Sequence, residues 1–434
     1  MTLLRGATLV EFDPPSVEKA DIRIVGDSIA ERGKGLQPAP EETVVDLDGH
    51  LILPGLVCSH THLYSALARG MPGPSQAPKN FHEILQRIWW VLDRALDPGS
   101  IAASGRVGAL AAAASGTTML VDHHASPESI PGSLELLREG LTEIGIRGVL
   151  CYEITDRGGP EQRDLGLAEN IRFIESTRSD SRFRGLMGAH ASFTLGDESL
   201  QQLVQAARSL RTPIHIHVAE DPCDFPRGGG DGELIGRLAD AGVLDAGGGA
   251  LLGHGTHLGP DALSRVRDSG CWLIHNARSN MNNHVGYAPV EIFPEIRCGL
   301  GTDGIDGDVF AEAQTAFFKN QDAGGALLAE GILRMIAGGH RLAQHLFERP
   351  YGTLRPDAPA DLAVLDYPSP TPLTSENLAW HLIFGMSASD CVATYVAGRL
   401  IYDRGHFPLA DREAIHRTAH DEAARLWKRM QELS

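Results

Sequence analysis

Short apolar runs alternate with longer, helix-compatible stretches through the middle of the chain. The pattern predicts eight β-strands, at residues 56–62, 118–123, 147–153, 184–191, 213–219, 250–254, 271–275 and 297–301. Strands that alternate with helices favour parallel pairing with right-handed crossovers, and eight such units build a (β/α)8 TIM barrel. A doubly wound open sheet is the alternative that the same pattern allows.

The two ends of the chain carry a different pattern, in which short β-type pieces are separated by Gly and Pro. These pieces lie at residues 8–10, 21–25, 43–47, 361–365 and 391–396. Chain termini often lie close together, so we expect both ends to form one small β-sandwich domain. The predicted fold class is α/β, with the sandwich at 1–53 and 356–434 and the barrel at 54–355. A terminal helix is predicted at 411–433 and glycine-rich loops at 228–230 and 247–249.

The charge balance restricts the class of partner. The chain of 434 residues has 38 Lys and Arg against 56 Asp and Glu, a net charge of -18, which disfavours binding to nucleic acid or to anionic lipid. Its six cysteines contain no C-x-x-C spacing, which disfavours a disulfide framework and a thiolate zinc site. The N-terminal segment lacks the apolar core of a signal peptide, so we expect a cytoplasmic protein.

The most informative residues are His60 and His62, which end the first predicted strand. Alternate residues of a strand point to the same face, so both imidazoles can contact one metal ion. The carboxyl ends of the strands in a parallel barrel converge on one face. Further donors that follow predicted strands should therefore meet this pair, namely His217, Glu220, His254 and Asp303.

Each of these residues also has an ordinary explanation. A single histidine on an apolar strand is more often a core residue than a ligand, and an Asp after Gly-x-Gly-Thr is commonly a turn or helix-cap residue. Their joint position at strand ends favours the metal site. Spacing alone leaves two choices open, between His215 and His217 and between His254 and His257.

Four segments resemble the amidohydrolase superfamily, in particular its single-metal aminohydrolases such as guanine and cytosine deaminases. They are residues 54–62, 217–220, 253–255 and 301–303, and the resemblance covers nearly the whole chain. Three further segments, at 63–70, 89–93 and 122–127, are most similar to the SsnA-type aminohydrolases.

The resemblance implies roles for individual residues. His60, His62, His217 and Asp303 would hold one divalent ion, with zinc expected and iron as the alternative, while Glu220, His254 and Asp303 would be catalytic. Residues expected to bind substrate are His190, His123, His124, Arg278 and Asn280.

Several of these substrate contacts have equally simple alternatives. His123, His124 and His190 can instead be core or supporting residues, and Arg278 can simply pair with a neighbouring acidic residue. Relatives more often carry Pro at the positions of Ala191 and Ala277, which affects the substrate pocket. Adjacent tryptophans such as Trp89 and Trp90 are more typical of packing or of an oligomer contact than of stacking on a substrate.

The expected activity is deamination of a small nitrogen heterocycle, with release of ammonia. Glu220 would protonate the ring nitrogen, Asp303 would accept the proton of the nucleophilic water, and His254 would orient it. The alternatives are a cyclic-amide hydrolase, a chlorohydrolase acting on a similar ring, and a non-catalytic metal- or ligand-binding protein. A homo-oligomer, a dimer or larger, is expected from the resemblance.

Overall fold

The N-terminal segment folds into seven short strands ahead of the barrel. The computed structural model describes residues 1–225 and 229–433. These strands are β1 (Thr2–Arg5), β2 (Thr8–Phe12), β3 (Pro15–Lys19), β4 (Asp21–Val25), β5 (Ser28–Gly33), β6 (Thr43–Asp46) and β7 (Leu51–Pro54). They alternate with turns at Gly and Pro, as the punctuation of the sequence predicts. Of the predicted loop at 228–230, Gly228 lies outside the described residues.

The central strands form a closed parallel barrel. They are β8 (Leu56–Thr61), β9 (Thr117–His124), β10 (Arg147–Tyr152), β11 (Phe183–Gly185), β12 (Met187–Ala191), β13 (Ile214–Val218), β14 (Leu251–His254), β15 (Trp272–His275) and β16 (Arg297–Leu300). β11 and β12 are two pieces of the fourth predicted strand. Parallel bridges from Thr61 to Asp303 and from Ile154 to Ala189 join the two halves, so the barrel is chosen over the open sheet.

The helices lie outside the barrel sheet, and most of them follow a barrel strand. They are α1 (Phe81–Ile84), α2 (Trp90–Ala95), α3 (Pro98–Ala114), α4 (Ser133–Ile144), α5 (Gly159–Thr177), α6 (Asp197–Leu210), α7 (Asp231–Ala241), α8 (Pro260–Asp268), α9 (Ala277–Asn282), α10 (Val309–Asp322), α11 (Ala329–Phe347), α12 (Leu378–Phe384) and α13 (Arg412–Leu433). A π-helix at Leu85–Trp89 connects α1 to α2.

The C-terminal strands complete the small domain. They are β17 (Leu362–Leu365), β18 (Cys391–Val396) and β19 (Arg399–Asp403). β17 pairs with β7, so strands from both ends of the chain share one sheet, in the order β19-β18-β17-β7-β2-β3. A second sheet, β5-β4-β1-β6, packs against it over an apolar core that includes Leu4, Ile22 and Leu362. The α/β fold with a two-ended sandwich is confirmed, whereas the exact domain boundaries stay a prediction.

A buried ion pair fastens the barrel to the sandwich. Arg147 on β10 donates two hydrogen bonds, of 2.6 and 3.0 Å, to the carboxylate of Asp361, which precedes β17. Such a fork-to-carboxylate pair fixes orientation as well as distance.

Among the described residues, no helix combines the length and the apolar character that a membrane span requires.

Candidate active site

Four predicted ligands converge at the carboxyl ends of the barrel strands, and we call His60, His62, His217 and Asp303 the metal cluster. Asp303 Oδ1 lies 2.8 Å from His62 Nε2 and 3.4 Å from His60 Nε2. His217 Nε2 lies 3.2 Å from His62 Nε2. All four side chains are buried. The positions that spacing placed on three separate strand ends therefore occupy one small volume.

Backbone carbonyls fix the orientation of two of these rings. His62 donates from Nδ1 to the carbonyl of His123 at 2.5 Å, and His217 donates from Nδ1 to the carbonyl of His190 at 2.8 Å. In each ring this contact leaves Nε2 facing the cluster. His60 Nδ1 instead lies 2.9 Å from His215 Nε2. Between the two histidines of β13, His217 thus faces the cluster and His215 supports His60 from below.

His254 and Glu220 lie beside the cluster. His254 donates from Nδ1 to Asn280 Oδ1 at 2.8 Å, and its Nε2 lies 3.5 Å from Glu220 Oε2. His257 instead donates to the carbonyl of Val285. The structure therefore selects His254 over His257 as the site histidine.

The electrostatics of the cluster fit a cation. Burial lowers the pKa of His60 to about 3 and the pKa of His217 well below its usual value, which keeps both rings neutral with lone pairs available. Burial also acts to lower the pKa of His62, but the Asp303 carboxylate outweighs it and raises that pKa to about 9. Nε2 of His60 and Nε2 of His254 are buried without a hydrogen-bond partner among the described residues. Three imidazoles and one carboxylate, with unpartnered nitrogens, are a donor set that suits a divalent metal.

Strand ends at the site adopt a left-handed backbone. Ala219, His254 and Asp303 have φ values of 49°, 71° and 52°. This conformation is costly for residues with a side chain and is commonly found at functional sites. The peptide hydrogens of Ala219 and Asp303 donate to Asp224 Oδ2 at 2.8 Å and to the His60 carbonyl at 3.1 Å. These contacts hold the sharp turns that direct Glu220 and Asp303 toward the cavity.

A cavity that is open to solvent lies above the cluster. Its described lining is His62, Tyr64, Phe81, Leu85, Trp89, Trp90, Asp93, Glu153, His190, Ala191, Phe193, His217, Glu220, Asp221, Cys223, Asp224, Asn283, Asp303 and Gly304. Burial raises the pKa of Glu220 to about 7, although His254 acts to lower it. Asn283 donates to Glu220 Oε1 at 3.3 Å, a contact that sequence reasoning missed.

Trp89 and Trp90 line this cavity, although their adjacency favoured packing. The π-helix at Leu85–Trp89 ends where α2 begins, so both tryptophans face the cavity from the junction. Such π segments are frequent at functional sites. The guanidinium of Arg157 lies 4.7 Å from the centre of the Trp90 ring.

Glu153 is the main residue that the sequence analysis did not single out. It follows β10 directly and lines the cavity. Its Oε1 accepts from Arg157 at 2.9 Å, and its Oε2 lies 3.4 Å from His123 Nδ1. Burial alone would raise its pKa, but His190, His123 and Arg157 together lower it well below the usual range. The rule that found the other residues, a polar residue at a strand end, applies equally to the third strand.

The predicted substrate residues divide into two groups. His190 lines the cavity, with its Nδ1 2.8 Å from Thr194 Oγ1. The other four, His123, His124, Arg278 and Asn280, are not among the described lining residues.

Each of those four has a partner elsewhere, which is the physical reason for its position. Arg278 pairs with Asp306 and Glu312, both at 2.7 Å, which is the simple alternative for this residue. His124 Nε2 lies 2.9 Å from Ser126 Oγ. His123 contacts Glu153, and Asn280 contacts His254, so any influence of these two on substrate acts through a neighbour.

Comparison with known proteins agrees with this geometry. Residues 51–401 match the Amidohydrolase family. The chain belongs to the amidohydrolase family. The resemblance, the fold class and the expectation of a hydrolase acting on carbon–nitrogen bonds are confirmed, and the SsnA-type branch stays a prediction.

Three relatives of this amidohydrolase illustrate the likeness. A 5-methylthioadenosine/S-adenosylhomocysteine deaminase from Pelotomaculum thermopropionicum is 28% identical over 448 residues, covering 98% of this chain and 99% of the relative. A zinc-bound adenosine deaminase from Xanthomonas campestris superimposes with a TM-score of 0.85 at 20% identity, covering 98% of each chain. A zinc-bound atrazine chlorohydrolase from Arthrobacter aurescens has a TM-score of 0.78 at 20% identity, covering 98% of this chain and 100% of the other. The two solved structures show a shared fold.

Proposed function

We propose that this amidohydrolase is a metal-dependent aminohydrolase that removes an amino group, as ammonia, from a small nitrogen heterocycle. One observation carries the proposal: Glu220 and Asp303 line the same cavity as His62 and His217 of the metal cluster. A binding protein needs the ligands alone, whereas proton-transfer groups beside them serve a hydrolytic reaction. The deaminase names of the relatives support the same conclusion.

In this proposal the metal cluster holds one divalent ion, with zinc preferred over iron. Imidazole and carboxylate donors accept both metals, and zinc is the ion bound in the two structural neighbours. When bound, such an ion would lower the pKa of a coordinated water molecule, which would make a nucleophile available near neutral pH.

The chain's own groups then move protons. Asp303 Oδ2 accepts a hydrogen bond from Ser279, which orients the carboxylate so that Oδ1 can take the proton of the attacking water and pass it to the amino group that departs as ammonia. Glu220 donates a proton to the ring nitrogen next to the attacked carbon, and its raised pKa keeps the acid form available near neutrality. His254, with Nδ1 held by Asn280, directs Nε2 toward the same region, where this nitrogen can accept a hydrogen bond from the attacking water and orient it.

Substrate binding falls to the lining of the cavity. The rings of Trp89, Trp90 and Phe193 offer flat apolar surfaces for a planar heterocycle. His190 can contact a ring nitrogen or a carbonyl oxygen from the side of β12. Assembly as a homo-oligomer is part of this proposal and rests on resemblance alone.

The proposal is tested by metal analysis combined with an ammonia-release assay. Purified protein should contain about one divalent ion per chain, lose turnover on chelation and regain it with Zn²⁺ or Fe²⁺. Amino-substituted purines, pyrimidines and triazines form the panel, together with chlorinated and cyclic-amide analogues. Ammonia release from an amino compound supports the proposal. Turnover confined to chlorinated or cyclic-amide compounds, or metal binding without any turnover, would overturn it.

A further inference from the structure

Two carboxylates that the proposed chemistry does not use face the cavity. Asp93 lies on α2 and Glu153 follows β10, and each residue is only 3% exposed. Both are part of the cavity lining. Burying a carboxylate costs free energy unless hydrogen-bond donors reach it. The partners of Asp93 and Glu153 therefore decide what this part of the cavity can bind.

Arg157 is the cation that these two carboxylates share. Its Nη2 donates to Glu153 Oε1 at 2.9 Å, while its Nη1 lies 3.9 Å from Asp93 Oδ2. Burial and the neighbouring Glu153 raise the pKa of Asp93 to about 7, so Glu153, which takes the closer contact, is the carboxylate whose charge Arg157 mainly compensates. Asp93 Oδ1 is buried without a hydrogen-bond partner among the described residues. An unpartnered buried acceptor of this kind favours a ligand that brings a donor.

The rest of the lining has the same electrostatic character. Six carboxylates belong to it, those of Asp93, Glu153, Glu220, Asp221, Asp224 and Asp303. Over residues 1–225 and 229–433, no Lys or Arg belongs to the lining. Arg278, which could have bound an anionic group, is held by Asp306 and Glu312 instead. A substrate with its own carboxylate would face Glu153 at low dielectric and would find no Lys or Arg among the described lining residues, whereas an uncharged edge with donors would be satisfied.

We propose that Asp93 and Glu153 bind hydrogen-bond donors on the edge of an uncharged substrate, and that these two carboxylates select against substrates carrying an anionic group. The inference rests on the proposed function and adds its substrate class. Two sources offer the required donors, the N–H groups of a free base and the vicinal hydroxyls of a nucleoside sugar.

The experiment compares three probes on metal-loaded protein: guanine, 5′-methylthioadenosine and S-adenosylhomocysteine. The last two share an adenosine and a sulfur atom and differ in the carboxylate-bearing tail. We expect kcat/KM for guanine or for methylthioadenosine to exceed that for S-adenosylhomocysteine at least tenfold. A preference for guanine identifies ring N–H groups as the donors, and a preference for methylthioadenosine identifies the sugar hydroxyls.

Variants test whether Asp93 and Glu153 cause the discrimination between these probes. Glu153→Gln should lower kcat/KM for the preferred probe roughly 10- to 100-fold, mainly through KM, since it weakens a charge-assisted hydrogen bond. It should also reduce the ratio of kcat/KM for the preferred probe to kcat/KM for S-adenosylhomocysteine. Asp93→Asn provides a second variant, because its Oδ1 has no partner in the fold to lose. Glu161→Gln, an exposed residue of α5, removes the same charge and should change nothing.

Binding measured through tryptophan fluorescence separates this inference from the proposed function, because Trp89 and Trp90 line the cavity. If no probe releases ammonia but guanine or methylthioadenosine still binds at least tenfold more tightly than S-adenosylhomocysteine, the proposed function fails and the inference stands. If ammonia is released and S-adenosylhomocysteine is the best substrate, the inference is overturned and the function stands. The inference would also be overturned if neither Glu153→Gln nor Asp93→Asn changed the ratio of kcat/KM between the preferred probe and S-adenosylhomocysteine.

Discussion

The metal cluster and the cavity wall above it are supported in different ways. We use the term cavity wall for Trp89, Trp90, Asp93 and Glu153. The cluster histidines lie on β8 or just after it and on β13, where neighbouring strands hydrogen-bond the backbone. Trp89, Trp90 and Asp93 lie on the π-helix and on α2, outside the barrel sheet. Glu153 is the exception in the wall, because it directly follows β10 at a strand end.

This difference separates the chemistry of the site from its selectivity. Side chains on paired strands hold a fixed geometry, which proton transfer and metal binding require. Connecting segments tolerate changes of sequence and shape, and they commonly carry specificity in barrel enzymes. Changes at or beside the cluster should therefore lower kcat, and changes in the wall should act mainly on KM.

The largest effect is expected from Glu220→Gln. A positioned proton donor typically contributes about 10²–10⁴-fold, so turnover should fall at least 100-fold. Glu220 is not one of the four proposed ligands, so the metal content should stay at the native level. Steady-state kinetics and elemental analysis of the same preparation check both statements. Near-native turnover would remove Glu220 from the mechanism.

Glu198→Gln serves as the control for that change. Glu198 is exposed in the first turn of α6, so the substitution removes one negative charge without touching the cavity. Native kinetics in this control would show that the loss in Glu220→Gln comes from position rather than from net charge.

Sequence reasoning found the cluster because its residues obey a simple rule. His60, His62, His217 and Asp303 each end or follow an apolar strand, and the closed barrel brings such positions together. Alternation could not separate His215 from His217, since both point to the same face of β13. Depth along the strand separates them in the structure, because His215 lies one pleat deeper and contacts His60.

The cavity wall was harder to predict, for two different reasons. Glu153 obeys the strand-end rule and was overlooked. The facing of Trp89 and Trp90 depends on the π-helix, whose wider turn changes the facing of the residues that follow it. Helical periodicity read from the sequence assumes regular turns, so it could not show that both rings reach the cavity.

A smaller effect on kcat is expected from Asn280→Ala. Asn280 is a positioning residue, because its Oδ1 accepts the Nδ1 hydrogen of His254 and thereby fixes which nitrogen faces Glu220. Loss of such an orienting partner commonly costs 10- to 100-fold, and we expect a fall of roughly 30-fold in kcat with KM and metal content nearly unchanged. Asn280→Asp keeps an acceptor and should restore most of the activity, which a purely structural role would not explain.

The control lies one residue away on the same helix. Met281 is 46% exposed on α9, and Met281→Ala should retain native kinetics. A rise in KM without loss of kcat in Asn280→Ala would place this residue with the cavity wall rather than beside the cluster.

The smallest effect is expected from Trp90→Ala, and it should appear in KM rather than in kcat. Removing the ring takes away a stacking surface and the partner of the Arg157 guanidinium, so KM should rise roughly tenfold while kcat changes less than threefold. Trp380→Ala is the control, since Trp380 is exposed on α12 and is not part of the cavity lining. A fall in kcat at unchanged KM would mean that Trp90 contributes to the chemical step. The separation between a catalytic cluster on strands and a selective wall on connecting segments would then fail at the residue where the wall is most apolar.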